Sequence, residues 1–451
     1  MTNETTAQTA PGVKVKLSIM MFLQYAIWGA WLPLLWPFLH DHRHFQKAQI
    51  GNMFAISAVG ALLAPFIAGQ IADRYFPTQK FLGISHILGG ILVWQLANLE
   101  TYGAFLAFSF FYSVIYSPTL PLTNSLAFHH IPDRDKDFGK VRSWGTIGWI
   151  AAGLAIGQWL LHSHTPASGT PEAIRAAQVA GMADAFRLSG ILGIIMGVYC
   201  FLLPHTPPAK GNKKFAAGEA FSEIIRNPRL ISLFVLSIFV SCIHQFYFVH
   251  ASGYVGQQQS PTADSINRIF GVGGGGLMTI GQMSEFFVLA AIPLVAKTLS
   301  RKSLLAIGLI AYGLRMFLFA FTPAIEATTG IPAVAIIMAG IALHGVCFGC
   351  FIFVAFMIVD EETTVDVRAS AQSLYNLVIV GIGIIVGSKI ATGIAAWADP
   401  TEKNMDYNKL FSVPMYAAVA VLAALMIFYP SGKKTAASVP NNIDAQPAEK
   451  A

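Results

Sequence analysis

The chain has 451 residues, 55% of them hydrophobic and 12% charged, with a formal net charge of +6 and a mean hydropathy of +0.58. A soluble domain covers its surface with roughly 25% charged residues, so half that share over this length excludes a soluble enzyme or binding module and makes lipid the main solvent. The basic balance does not indicate nucleic acid, because Lys and Arg sit in short loops between apolar runs, the pattern of orientation signals.

Residues 1–16 are polar, with Lys14 and Lys16 just ahead of an apolar run from Leu17 to about Leu39. That run is too long for a signal-peptide core and carries no cleavage site, so it predicts a first spanning helix. With about 20 residues needed to cross roughly 30 Å of hydrocarbon, the predicted spans are 17–39, 50–72, 81–99, 103–128, 143–161, 184–204, 230–252, 275–298, 303–322, 332–358, 369–395 and 410–429. Twelve spans put both termini on one side. Of the 29 Lys and Arg residues, 20 flank that side and 7 the other, which predicts cytoplasmic termini in a bacterial inner membrane.

The longest cytoplasmic connection, 205–229, carries Pro207, Pro208, Lys210, Lys213 and Lys214. It separates an expected six-helix bundle at 17–204 from a second at 230–429, followed by a polar tail at 430–451 that is expected to be disordered. The fold class expected is an all-α polytopic membrane protein with twelve transmembrane helices in two six-helix bundles, and no soluble catalytic domain is left over.

Away from the span ends, three full charges lie inside spans: Glu285, Arg315 and Lys389. A carboxylate at mid-bilayer costs at least ~2.5–3.5 kcal/mol unless it is paired, hydrated or protonated, and such residues tend to be functional. Gln282 precedes Glu285 by three positions, so the two share a helix face extended by Met278 and Leu289. That face reads as a substrate or proton site, or as half of a structural ion pair with Arg315 on the next helix; a protonation switch accommodates both. Lys389 lies near the outer end of its span, where snorkelling explains it.

In VRSWGTIGWI, Arg142, Thr146 and Trp149 fall at i, i+4 and i+7. A guanidinium, a hydroxyl and an indole on one face suit a flat polar ligand, although Arg142 also fits an ordinary cytoplasmic flank. His244, Gln245 and His250 line the seventh span, and His344 with Phe348 shares a face of the tenth. With His86 these make four membrane histidines, of which packed hydrogen-bond donors are the commoner kind. Four cysteines (Cys200, Cys242, Cys347, Cys350) lie in apolar stretches, so neither a disulfide framework nor a metal site is expected, and no cofactor. The glycine run at 271–276 lacks the Lys-Ser/Thr of a phosphate loop and is expected to be a flexible external connection. Gly69-x-x-x-Asp73-Arg74 is expected to clamp helix ends on the cytoplasmic side.

The segments FLQYAIWGAWLPLL (22–35), GQIADR (69–74), SPTLPLTNSLAF (117–128), VRSWGTIGWI (141–150), GQMSEFFVL (281–289), LRMFLFAF (314–321), HGVCF (344–348) and VRASAQS (367–373) resemble the nucleoside:proton symporter family of the major facilitator superfamily. The resemblance implies two bundles rocking about a central cavity to import nucleosides with protons, and a monomer is expected. It further implies substrate contacts from Arg142, Thr146, Trp149, Gln245, Gln282, Glu285, His344 and Phe348. As the one carboxylate deep in a span, Glu285 is expected to couple protons to transport, with Arg315 as a partner for its ionised form and His344 as the next candidate for coupling. The chain departs from the family pattern in three places. Gly349 stands where the family has an aspartate, His344 where it has tyrosine, and Phe248 where it has asparagine. A proton-coupled symporter of a sugar or other glycosylated solute is the alternative. An integral-membrane acyltransferase is more remote, since no convincing His/Asp or His/Asn set lies near an interface.

Overall fold

A computed structural model describes residues 11–67, 76–132, 134–207, 217–364, 367–401 and 404–430. The 69–74 segment, the lysines at 210, 213 and 214, and the polar tail from 431 onward lie outside the described residues. Among the described residues twelve long helices follow one another: α1 Pro11–His42, α2 Lys47–Ile67, α3 Thr78–Leu96, α4 Tyr102–His130, α5 Arg134–Ser163 and α6 Ala183–Cys200. The second half continues with α7 Pro228–Gly256, α8 Gly275–Val295, α9 Arg301–Ala320, α10 Ala333–Glu362, α11 Ser370–Ala398 and α12 Tyr407–Phe428. Eleven of them are long and apolar enough to cross a membrane. The exception is α3, whose Thr78, Gln79, Ser85 and His86 lower its hydropathy; all four are buried against protein rather than lipid.

Lipid offers no hydrophobic gain for bringing helices together, so close packing through small residues does that work. A Cβ on Gly148 of α5 would lie 2.1 Å from the Phe22 carbonyl oxygen of α1, and one on Gly193 of α6 would lie 2.9 Å from Gly90 Cα of α3. Each is therefore a site of backbone contact that a side chain would prevent.

The helix α5 begins at Arg134, nine residues before the expected span, so Arg142 lies two turns inside a continuous helix. Shorter helices at Pro171–Gly181, Ala217–Arg226, Pro261–Phe270 and Thr322–Thr329 join the long ones. The second of these lies within the stretch read as a linker.

Hydrogen bonds that join the two halves, among the described residues, all lie at the end opposite the termini. There Lys47 of α2 meets Asp399, just past α11, at 3.0 Å, with both side chains buried. Arg175 donates to the Gly256 carbonyl, and Gln158 to the carbonyls of Arg268 and Ile269. Lys389 stays exposed, as its expected position requires, but its ammonium also donates to Asn52 of α2.

The glycine run corrects an expectation. It is a buried, tightly packed turn rather than a flexible connection, because α5 leaves no room for side chains there. Gly271, Gly273 and Gly274 have φ of 80°, 82° and 84°, a region that only glycine enters freely. Val272 N–H donates to the Gly157 carbonyl of α5, and a Cβ on Gly276 would lie 1.7 Å from the Phe270 carbonyl oxygen.

Candidate functional site

Between the halves lies a cavity of about 400 Å³, within the usual range for a small-molecule site of about 300–1,000 Å³. All eight residues expected to contact substrate line it: Arg142, Thr146 and Trp149 from α5, Gln245 from α7, Gln282 and Glu285 from α8, and His344 and Phe348 from α10. Their convergence follows from helical spacing. The i, i+4, i+7 face of α5 turns inward, and the glycines beside it let α5 approach α1 closely: Gly148 meets the Phe22 backbone and Gly145 the Tyr25 ring. On α8 the three-residue step from Gln282 to Glu285 keeps both on the inner face.

Arg142 places its guanidinium 4.0 Å from the centroid of the Tyr25 ring. A cation–π contact fixes the group without consuming its N–H donors. Glu285 Oε2 lies 3.4 Å from His344 Nε2, and Gln282 Nε2 lies 3.5 Å from the same nitrogen. The His344 ring stacks on Tyr247, at 4.9 Å and 18°, and lies near-parallel to Phe348, at 6.2 Å and 29°. Beside it, His244 Nδ1 is hydrogen-bonded to the Tyr312 hydroxyl at 2.7 Å.

Arg315 is not in the cavity lining and does not contact Glu285 directly. It is fully buried, with its guanidinium 4.3 Å from the Tyr247 ring centroid and 5.2 Å from that of Tyr312. The direct pair left open by the sequence is thus replaced by an aromatic cradle, and Glu285 faces His344 instead. His86 and His250 serve packing. The first meets Gln24 Oε1 at 2.9 Å; the second donates to the Ala391 carbonyl and lies edge-on to Trp36. At Gly349 a Cβ would lie 2.7 Å from Val288 Cγ1, so α8 packs where a side chain would stand.

The opposite wall escaped the sequence reading. It holds Tyr25, Trp28, Tyr112 and Tyr116 together with Ser109, Ser113 and Ser117. Tyr112 and Tyr116 stack at 5.2 Å and 19°, and Trp28 leans on Tyr116 at 5.2 Å. A signal was present: in SFFYSVIYS the polar positions fall at i, i+3, i+4, i+7 and i+8, one helical face. On the other side, π-type turns at Phe348–Phe353 and Leu377–Gly383 carry Phe348, Ile352, Ile379 and Val380 into the lining. Such turns gather at functional sites.

A family model described as Nucleoside H+ symporter matches residues 12–434. YegT of Escherichia coli (strain K12), provisionally named a nucleoside transporter, is 33% identical over 427 residues, which cover 92% of this chain and 93% of that one. The nucleoside permease NupG of the same organism is 25% identical over 402 residues, 84% of this chain and 87% of that one. The crystal structure of nucleoside transporter NupG superposes with a TM-score of 0.78 at 22% identity, covering 93% of this chain and all of the other, and so shares its fold.

Proposed function

The chain belongs to the nucleoside H+ symporter family, and from that premise we propose that the cavity between its halves is the nucleoside site, with Glu285 and His344 as its proton site. It is a multi-pass integral membrane transporter of the major facilitator fold, not an enzyme, and it moves a nucleoside with a proton by alternating access. One observation carries the assignment of the site. A carboxylate, two imidazoles, a guanidinium, three side-chain amides and a set of aromatic rings converge on one cavity at the seam of the two halves.

Each group has a task that fits a nucleoside. The flat base lies against Trp149 and Phe348, whose rings offer large apolar faces. Ribose hydroxyls hydrogen-bond to Gln245, Gln282 and Thr146. Arg142, held by Tyr25, donates to base or ribose oxygens. Glu285 takes the proton on the side that loads substrate, and access then switches around a neutral carboxyl, with no bare charge held in a low-dielectric closed cavity. His344, 3.4 Å away, accepts or returns that proton and aligns the carboxyl.

We place both termini in the cytoplasm of a bacterial inner membrane, because the basic loops lie on their side. The inter-half hydrogen bonds then close the external end, and this is the state that releases substrate inward. The six-helix units are assigned to 17–204 and 230–429, joined by 205–229. One chain encloses a whole cavity, so the working unit is a monomer. The test is Glu285→Gln in proteoliposomes. This variant mimics the protonated form, so uridine exchange continues while accumulation driven by a pH gradient is lost. Wild-type accumulation by that variant would move the proton site elsewhere, and loss of binding and exchange together would make Glu285 a substrate ligand only.

A further inference from the structure

Arg315 is the largest fully buried side chain of the described residues. None of its three guanidinium nitrogens meets an oxygen or nitrogen acceptor among the described residues. Its company is the faces of Tyr247 and Tyr312, with the Cys347 thiol beside it. A buried charge with no anion in contact is costly, and ring faces recover only part of that cost. Arginine does not shed its proton to escape the penalty. The arrangement therefore calls for negative charge within electrostatic reach.

One column of stacked groups leads from Arg315 to such a charge. The guanidinium packs on Tyr247; Tyr247 stacks on His344 at 4.9 Å; and His344 Nε2 lies 3.4 Å from Glu285 Oε2. The titratable and charged groups around the column are His244 and Tyr247 on α7, Glu285 on α8, Tyr312 on α9, and His344 and Cys347 on α10, with Arg142 facing Glu285 from α5. Glu285 is the carboxylate among them.

We infer that Arg315 is the fixed counter-charge of Glu285, acting through the His344–Tyr247 stack rather than by contact. The inference rests on the reading of Glu285 as the proton site. Arg142 lies in the cavity, where substrate and water reach it, so its field changes during the cycle. Arg315 is shut away from both, and its positive charge is constant. When the proton leaves Glu285, the new carboxylate is compensated across the packed stack and does not have to wait for substrate. Arg315 is thus a positioning residue for charge, and it sets the pH at which the transporter loads and unloads its proton.

The experiment measures uridine-driven proton uptake against pH in proteoliposomes of the full chain, for the wild type, Arg315→Lys, Arg315→Met and Glu285→Gln. A nearby positive charge favours the ionised carboxylate, so its removal makes the proton bind more tightly. In Arg315→Met the pH of half-maximal proton uptake rises by about one unit, while Arg315→Lys keeps it near the wild-type value. An unchanged midpoint in Arg315→Met overturns the inference and leaves Arg315 a packing residue. Glu285→Gln tests the underlying reading separately: pH-driven accumulation that survives in it removes Glu285 as the proton site, whatever the Arg315 variants do. Should Arg315→Met fail to accumulate in the membrane, Glu285→Gln/Arg315→Met decides the matter. Recovery of folded protein in the double variant supports mutual compensation, and its continued absence refutes it.

Discussion

Loss of the Lys47–Asp399 pair should open the transporter at the end opposite its termini. The two side chains are 2% and 3% exposed, with Lys47 Nζ 3.0 Å from Asp399 Oδ2 and 2.6 Å from the Asp399 carbonyl oxygen. At an effective dielectric near 20 the direct attraction at that separation is about 5 kcal/mol, much of which offsets the desolvation of two ions. Removing one partner is a different matter, since it leaves the other charge buried and unpaired at a cost of about 3 kcal/mol or more. That cost falls only on the state in which α2 and α11 are closed together, because in the alternate state water reaches both residues. Asp399→Ala therefore shifts the balance between the states by roughly a hundredfold toward opening at this end. Leu34, wholly buried against Gly273 and Gly275, is a suitable reporter. In a background with the four native cysteines replaced, maleimide labelling of Leu34→Cys in detergent should accelerate many-fold on adding Asp399→Ala. Lys47→Met/Asp399→Ala, which buries no lone charge, should restore slow labelling. If Asp399→Ala leaves the rate unchanged, or the double variant labels as fast as the single one, the pair does not hold the closed state.

Three further outcomes are expected. Tyr25→Leu should weaken uridine binding about 3- to 10-fold, in keeping with a cation–π contact worth ~0.5–2 kcal/mol, while Tyr25→Phe keeps the ring face and the affinity; equilibrium binding measures both, and an equal loss in the two would assign the effect to the hydroxyl. Trp149→Leu or Phe348→Leu should cost nucleoside binding more than binding of free ribose, and equal losses in a competition assay would make these rings packing residues. Gly274→Ala places a Cβ 2.3 Å from the Ser252 carbonyl oxygen at a φ of 84°, so the thermal midpoint should fall by about 1–3 °C, the effect of roughly 1–3 kcal/mol of strain on a chain of this length; an unchanged midpoint would show that the turn is free to move.

Much of the architecture is a local property of the chain, and so was legible in it. A stretch of about 20 apolar residues must cross the bilayer as a helix, since its backbone has nowhere else to place its hydrogen bonds. Arg142, Thr146 and Trp149, or Gln282 and Glu285, declare a shared face by spacing alone. Helical geometry turns each set into one stripe before any neighbour is known. Polar groups in an apolar run stand out for the same reason, which made Glu285, Arg315 and His344 visible.

The tertiary structure decided everything that depends on which helix meets which. Tyr25, Trp28, Tyr112 and Tyr116 read as ordinary apolar residues until α1 and α4 are brought to one wall. Glu285 and Arg315 looked like partners on adjacent helices. Packing instead put His344 beside the carboxylate and two tyrosine rings beside the guanidinium. The glycine run carries the composition of a loose loop, and only the approach of Gly157 makes it a tight turn. Lys47 and Asp399 stand 352 positions apart, and each alone resembles a residue at the water interface. Pairing across such a separation is set by how two finished bundles close against each other, and no local pattern in either segment encodes it.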